Sequence, residues 1–172
     1  MDGRMICPVC HVDNIEGSDE CENCGADLRA ADLPTPETPL ERRLVVDQLG
    51  DLEHRDPILL PRTAPAREAV AAMQQAGVGS VLVTDGDRLV GIFTERDALL
   101  KVAGMNAAAL DAPLGELMTP DPVVLREDDS IAVAIHKMAV GGFRHIPLIR
   151  DGRPTGIVSA RDVFGHVLEI IG

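Results

Sequence analysis

The sequence predicts an α/β protein: two β-α-β-β-α units related by a pseudo-two-fold axis, with a small metal-binding ribbon in front of them. Three observations carry the prediction. Most of the chain repeats itself at a shift of 65 positions. Each copy alternates strand-like and helix-like patterns. Four cysteines in two C-x-x-C pairs stand alone near the N-terminus. The expected division is a ribbon over 1–30, a linker over 31–41, a first unit over 42–105 and a second over 106–172.

The ribbon comes first. Cys7-Pro-Val-Cys10 and Cys21-Glu-Asn-Cys24 form two thiolate knuckles. Two such knuckles can close a tetrahedral Zn(II) site, and four thiolates leave no open position, so the expected role is structural. A segment this short cannot fold on apolar burial alone, and the metal would supply the folding energy. It resembles a short zinc ribbon, with a loop below the common spacing of about 15 to 20 residues. Gly25 fits a knuckle turn, and His11 stands where the first knuckle would have glycine. Iron in a rubredoxin-like site is the rival, but rubredoxins pack aromatics around their iron and this segment has none.

Residues 31–39, ADLPTPETP, read as a stiff, extended linker. It is expected to keep the ribbon apart from the rest, so that unfolding one leaves the other intact. Leu40, Leu44, Val45 and Leu49 then fall near one helical face.

The repeat aligns Leu49-Gly-Asp-Leu52 with Leu114-Gly-Glu-Leu117, Asp56-Pro57 with Asp121-Pro122, Met73 with Met138, Gly77 with Gly142, and Arg96-Asp97 with Arg161-Asp162. Within each unit a short strand is expected first, Ile58–Leu60 or Val123–Leu125. A helix follows, capped by Thr63 or Asp128 and ended by Gly77 or Gly142. Two strands then flank turns at Asp85-Gly86 and Asp151-Gly152. They run over Ser80–Val83 and Leu89–Phe93, and over His145–Ile149 and Thr155–Val158. A second helix starts at Thr94 or Ser159. Half-sized units of this kind lack the area to close a core alone, so the pair should pack together.

Composition narrows the function. Apolar residues are 45% of the chain, and Phe93, Phe143 and Phe164 are its only aromatics. The formal net charge is −12. An acidic surface repels phosphate backbones, which argues against nucleic acid. Residues 1–41 oppose ten acids to Arg4 and Arg29 alone, so the ribbon is not expected to bind polynucleotides either. No apolar run approaches the roughly 20 residues that span a bilayer, and no signal pattern opens the chain. The reading is a cytoplasmic protein without membrane contact. No nucleophile–base pair, phosphate loop or open metal site suggests an enzyme.

The two most similar stretches are Val90-Gly-Ile-Phe-Thr-Glu-Arg-Asp97 and Thr155-Gly-Ile-Val-Ser-Ala-Arg-Asp162. Each is a strand exit into a helix, with a hydroxyl first and a carboxylate three residues later. The plainer reading is a capping box that needs no ligand. The other is a phosphate at the helix N-terminus with a ribose held by the carboxylate.

These exits, with Arg144-His145-Ile-Pro-Leu148 and Leu117-Met-Thr-Pro120, resemble a tandem CBS-domain pair, the Bateman module, over roughly residues 42–172. The resemblance implies an adenosine ligand in the clefts between units: AMP, ADP or ATP, with S-adenosylmethionine or NAD as variants. It implies that Asp97 and Asp162 hold ribose, that Thr94 and Ser159 contact phosphate or ribose, and that backbone near Ile58 and Val123 reads the adenine edge. Arg144 and His145 would be phosphate-binding cations. The first unit has Gly79-Ser80 at that place, so the clefts should differ; Arg96 and Arg161 are further sources of charge. The resemblance also implies a homodimer through the second helices, with Leu99, Leu100, Val163, Phe164 and Val167 on the contact face. The expected function is a regulatory sensor that signals to an unknown protein partner. The alternative is an adaptor that dimerises with empty clefts.

Overall fold

The computed structural model describes residues 4–15, 18–29, 36–52, 56–103 and 107–172. Residues 31–35 of the expected linker, and the boundary expected at 105, lie outside them.

In the ribbon, β1 (Arg4–Ile6) pairs antiparallel with β2 (Asp13–Ile15). Each knuckle closes through a left-handed residue. His11 (φ 58°) donates its N–H to Cys7 O and Gly25 (φ 70°) donates to Cys21 O. Histidine accepts that conformation at a cost that glycine avoids. Buried Asn14 ties the knuckles together: its Nδ2 donates to Val12 O at 2.9 Å and its Oδ1 accepts from Glu22 N–H at 3.1 Å. Met5, Cys7, Cys21 and Leu28 form a small core of their own.

The ribbon keeps this separate core, yet it touches the second unit. Three ion pairs join it to the second unit: Arg29–Asp129 at 2.5 Å, Lys137–Asp19 at 2.7 Å and Arg126–Asp27 at 3.9 Å. Asp129 is buried (6% exposed). Linker composition reports stiffness, and it carries no information on where the charged rim of the ribbon lands.

Helix α1 (Pro39–Val46) starts in a full capping box. Thr38 Oγ1 accepts from Glu41 N–H, and Glu41 accepts from Thr38 N–H. Leu44 packs on the core of the second unit. Asp47, at the end of α1, accepts from His166 Nε2 at 2.9 Å and pairs with Arg43.

The first unit has a sheet of order β3-β4-β5-β6. Strand β3 (Leu59–Pro61) runs parallel to β4 (Ser80–Asp85), and β5 (Arg88–Thr94) runs antiparallel to it. Strand β6 (Thr119–Pro120) adds to β5 beside Gly91. A Cβ on Gly91 would lie 3.0 Å from Thr119 O and against the Met118 side chain, so β6 crosses close over this glycine. In the second unit β7 (His145–Arg150) pairs with β8 (Arg153–Ser159). The strand expected at Val123–Leu125 shrinks to one parallel bridge, Leu125 to Leu148.

Helices α2 (Ala66–Ala76) and α5 (Ile131–Gly141) end in left-handed Gly77 and Gly142, as expected. Their starts differ from expectation. The residue before the first turn is Pro65 or Ser130, rather than Thr63 or Asp128. The preceding residues are otherwise engaged. Arg62 O and Ala64 O accept from Gly115 and Leu114 N–H, while Glu127 O and Asp129 O accept from Gly50 and Leu49 N–H. Each of these turns thus grips the Leu-Gly segment of the opposite half.

That grip reverses the order of packing. Leu114 and Leu117, in α4 (Leu114–Leu117), belong to the core built on Val81, Val83 and Phe93. Leu49 and Leu52 belong to the core of Leu125, Ile146, Leu148 and Val158. Each half lends the other its first turn. The remaining helices are α3 (Glu95–Asp97), which continues as a π-helix over Ala98–Ala103, and α6 (Ala160–Ile171).

Candidate functional site

The pseudo-dyad brings the starts of β4 and β7 face to face. A Cβ on Gly79 would lie 3.0 Å from His145 Nε2 and 3.4 Å from Glu95 Oε2. The missing side chain is therefore what lets His145 cross between the units. Around this contact opens a cleft of about 590 Å³, within the range of small-molecule sites. The first unit lines it with Asp56–Ile58, Gly77–Ser80 and Glu95; the second lines it with Arg144, His145, Ile157, Ser159–Asp162 and Phe164.

The exit of β8 meets this cleft as a capping box. Asp162 Oδ2 accepts from both Ser159 N–H and Ser159 Oγ–H at 2.7 Å, and Ser159 Oγ accepts from Asp162 N–H. The plain capping reading is thus correct, and it consumes one carboxylate oxygen. Asp162 Oδ1 has no bond among the described residues. It can accept a hydroxyl pair, and a helix of this length presents free N–H groups beside it.

Arg144 is exposed and has no ion-pair partner among the described residues. His145 opens β7. Burial of its imidazole pushes the pKa below the ordinary value, while Glu95 and Asp162 pull it back up and Arg144 adds to the depression. The shift favours the neutral ring, which offers an N–H rather than a charge. Arg144 and Arg161 are the cations of the cleft. The ring is half-buried at the start of β7, and Gly79 across the dyad is what admits it.

The structure brings Ile58, Arg144, His145, Ser159 and Asp162 into one cleft. Thr94, Asp97 and Val123 do not line it. The sequence reading missed Asp56, Glu95 and Phe164 as walls of the cleft. Glu95 directly follows the hydroxyl of the first exit, a place at which the twin has Ala160, so the repeat alignment carries a signal for it.

The CBS domain family pattern matches residues 49–104 and 114–169. The chain belongs to the CBS-domain family. A CBS-domain protein of known structure from Agrobacterium tumefaciens is 32% identical to it, with a TM-score of 0.64 over 69% of this chain and 97% of that one. A CBS-domain protein from Pyrobaculum aerophilum, solved in complex with AMP, is 27% identical, with a TM-score of 0.62 over 71% of this chain and 98% of that one. An uncharacterized 17.7 kDa protein of Acidianus ambivalens is 36% identical over 105 residues. The chain spans 62% of that relative's length and 60% of the length of a second, from Methanopyrus kandleri.

The first exit of the CBS pair repeats the capping box. Asp97 Oδ2 accepts from Thr94 N–H at 3.0 Å and from Thr94 Oγ1–H at 2.7 Å. Its Oδ1 is also engaged, with Lys101 Nζ at 2.7 Å and Thr119 Oγ1 at 3.4 Å. Asp97 is buried and Val123 is exposed.

Ahead of the CBS pair, the four cysteine sulfurs lie within 4.8 Å of one another. Cys7 and Cys24 Sγ are 3.7 Å apart, and Cys10 and Cys21 Sγ are 3.5 Å apart. Sulfurs bound tetrahedrally at about 2.3 Å from a metal would be about 3.8 Å apart. The donor set fits a metal ion. Val9 N–H points at Cys7 Sγ at 3.4 Å. The backbone N–H groups of Cys24 and Asn23 outweigh burial and hold the Cys21 thiol down at about 6. Among the described residues no helix is long and apolar enough to cross a membrane.

Proposed function

We propose that this chain is a regulatory module that binds an adenine nucleotide, of the AMP, ADP or ATP kind, between its CBS units. One observation carries the reading: Asp162, Ser159, Arg144, Arg161 and the β3 entrance at Ile58 line one cleft across the pseudo-dyad. The AMP complex of the Pyrobaculum aerophilum relative supports the same ligand class. In this reading Asp162 accepts the ribose hydroxyls, Arg144 and Arg161 meet phosphate, His145 donates an N–H to it, and Ile58 backbone reads the base. The module is not catalytic. It reports occupancy to a protein partner.

Cys7, Cys10, Cys21 and Cys24 hold one structural Zn(II) in this proposal. The division into 1–30, 31–41, 42–105 and 106–172 is kept, with the reciprocal turns as its hinge. Homodimers form through α6 and the π-helical continuation of α3, where Leu99, Leu100, Phe164, Leu168 and Ile171 are exposed. Val163, expected on that face, is buried in the second core and is no part of it.

Calorimetric titration of the metal-loaded chain with AMP, ATP, S-adenosylmethionine and NAD tests the reading. Saturable heat with at least one adenosine ligand is expected, together with a raised melting temperature. A chain that binds none at millimolar concentration is the adaptor instead. Elemental analysis decides between zinc and iron.

A further inference from the structure

The two Ser/Thr-x-x-Asp exits differ in what they leave free. At Asp162, which lines the cleft, one carboxylate oxygen is spent on the cap and the other has no bond among the described residues. At Asp97 both are spent. Lys101 stands four residues on, where an ammonium reaches back to a carboxylate on the same helix face, and it binds Asp97 Oδ1 at 2.7 Å. The same Nζ donates to Leu117 O at 2.7 Å and to Met118 O at 3.4 Å. An ammonium has three donors, and these three acceptors use them all. Thr119 Oγ1 adds a weaker bond to Asp97 Oδ1.

Residue 166 is the repeat twin of Lys101, and it is histidine. It turns away from Asp162 to Asp47 Oδ2 at 2.9 Å. One substitution between the copies therefore separates a carboxylate that is satisfied from one that still has an acceptor to offer.

We propose that Lys101 is a built-in occupant of the first-unit ribose position, so that the chain binds one nucleotide instead of two. The proposal rests on the nucleotide reading above. It locates the inequality of the two sites in the ribose acceptor, in addition to the phosphate cations. A ribose hydroxyl is neutral and must displace a charge-assisted bond that is already made inside the protein. Lys101 also ties Asp97 to the end of α4, which keeps that exit closed without any ligand.

The test is a calorimetric titration of the metal-loaded full chain with AMP, on the natural protein and on Lys101→Met and Lys101→Gln. The natural protein should bind one AMP per chain. Either variant should bind two, and the second site should vanish again when Asp97→Ala is added. Lys101→Gln keeps an amide donor for Leu117 O, so it reports even if Lys101→Met fails to fold. A third preparation separates the two ideas. Asp162→Ala should abolish binding, and Asp162→Ala with Lys101→Gln should restore one site that depends on Asp97. Two sites in the natural protein, or a single site in folded Lys101→Gln, overturns the role of Lys101. No binding by the natural protein or by any variant sinks the nucleotide reading itself.

Discussion

Arg29→Ala should destabilise the second CBS unit although Arg29 lies in the ribbon. Asp129 is 6% exposed, and its carboxylate has two partners, Arg126 N–H at 2.7 Å and Arg29 Nη1 at 2.5 Å. Removing the guanidinium leaves a buried charge with one neutral donor. Breaking a buried pair in this way costs about 3 to 5 kcal/mol. Arg29 itself is 16% exposed and also pairs with the exposed Asp27, so water reaches part of the site and about 2 to 3 kcal/mol is the better expectation. For a chain of this size that lowers the melting temperature by about 4 to 12 °C. Scanning calorimetry on metal-loaded protein measures it. Asp129→Asn should cost less, since it removes the charge and keeps an acceptor for Arg126. The double variant should fall well short of the sum, with a coupling of about 1 to 2 kcal/mol. An unchanged melting temperature in Arg29→Ala, or additive single effects, would refute the claim that the ribbon is anchored through this pair.

Three further outcomes are expected. Arg144→Ala should weaken AMP binding about tenfold or more, since a bond to a charged group contributes about 1.5 to 3 kcal/mol; unchanged affinity by titration would move the phosphate elsewhere. For His145 the folded pKa lies below the unfolded value of 6.5, so the folded state binds fewer protons. Stability is then full above about pH 6.5 and falls as pH drops toward the folded pKa. AMP phosphate near the ring should raise that pKa, so binding should take up a proton and tighten as pH falls toward the pKa of the bound ring, and His145→Gln should flatten the profile. Finally, Phe164→Glu with Leu99→Glu should give monomers in light scattering, because two charges then sit on the exposed apolar strip of α6 and the π-helix after α3.

Much of the fold was legible because its information is local and written twice. A shift of 65 positions superposes the leucines, glycines and capping acids that set each strand and helix. Gly77 and Gly142 end their helices for a reason that glycine alone announces. The cysteine spacing likewise announced the cluster. The misreadings were long-range. Thr63 and Asp128 look like caps, but whether a turn caps a helix or grips another segment depends on who approaches it. His145 looks like a cation until Gly79 is known to lie against it. Lys101 was readable in principle, four residues after Asp97, but an i,i+4 pair is common and says nothing about a neighbouring cleft. Arg29 and Asp129 are distant in sequence and meet only in space.

The reciprocal exchange of the Leu-Gly turns bears on how the chain reaches its folded state. Leu49 must find Leu125, Ile131 and Ile146 before the second core closes, and Leu114 must travel back to Val81 and Phe93. Neither nucleus completes itself from nearby sequence, so the contact order is high and folding should be slow. A nascent chain released before Leu125 is synthesised would hold Leu49 and Leu52 with nothing to bury them, and its first unit would lack nothing but a way to hide its own leading turn. A fragment cut between the halves that keeps only the first unit lacks Leu125, Ile131 and Ile146, so its leading turn stays exposed and prone to association.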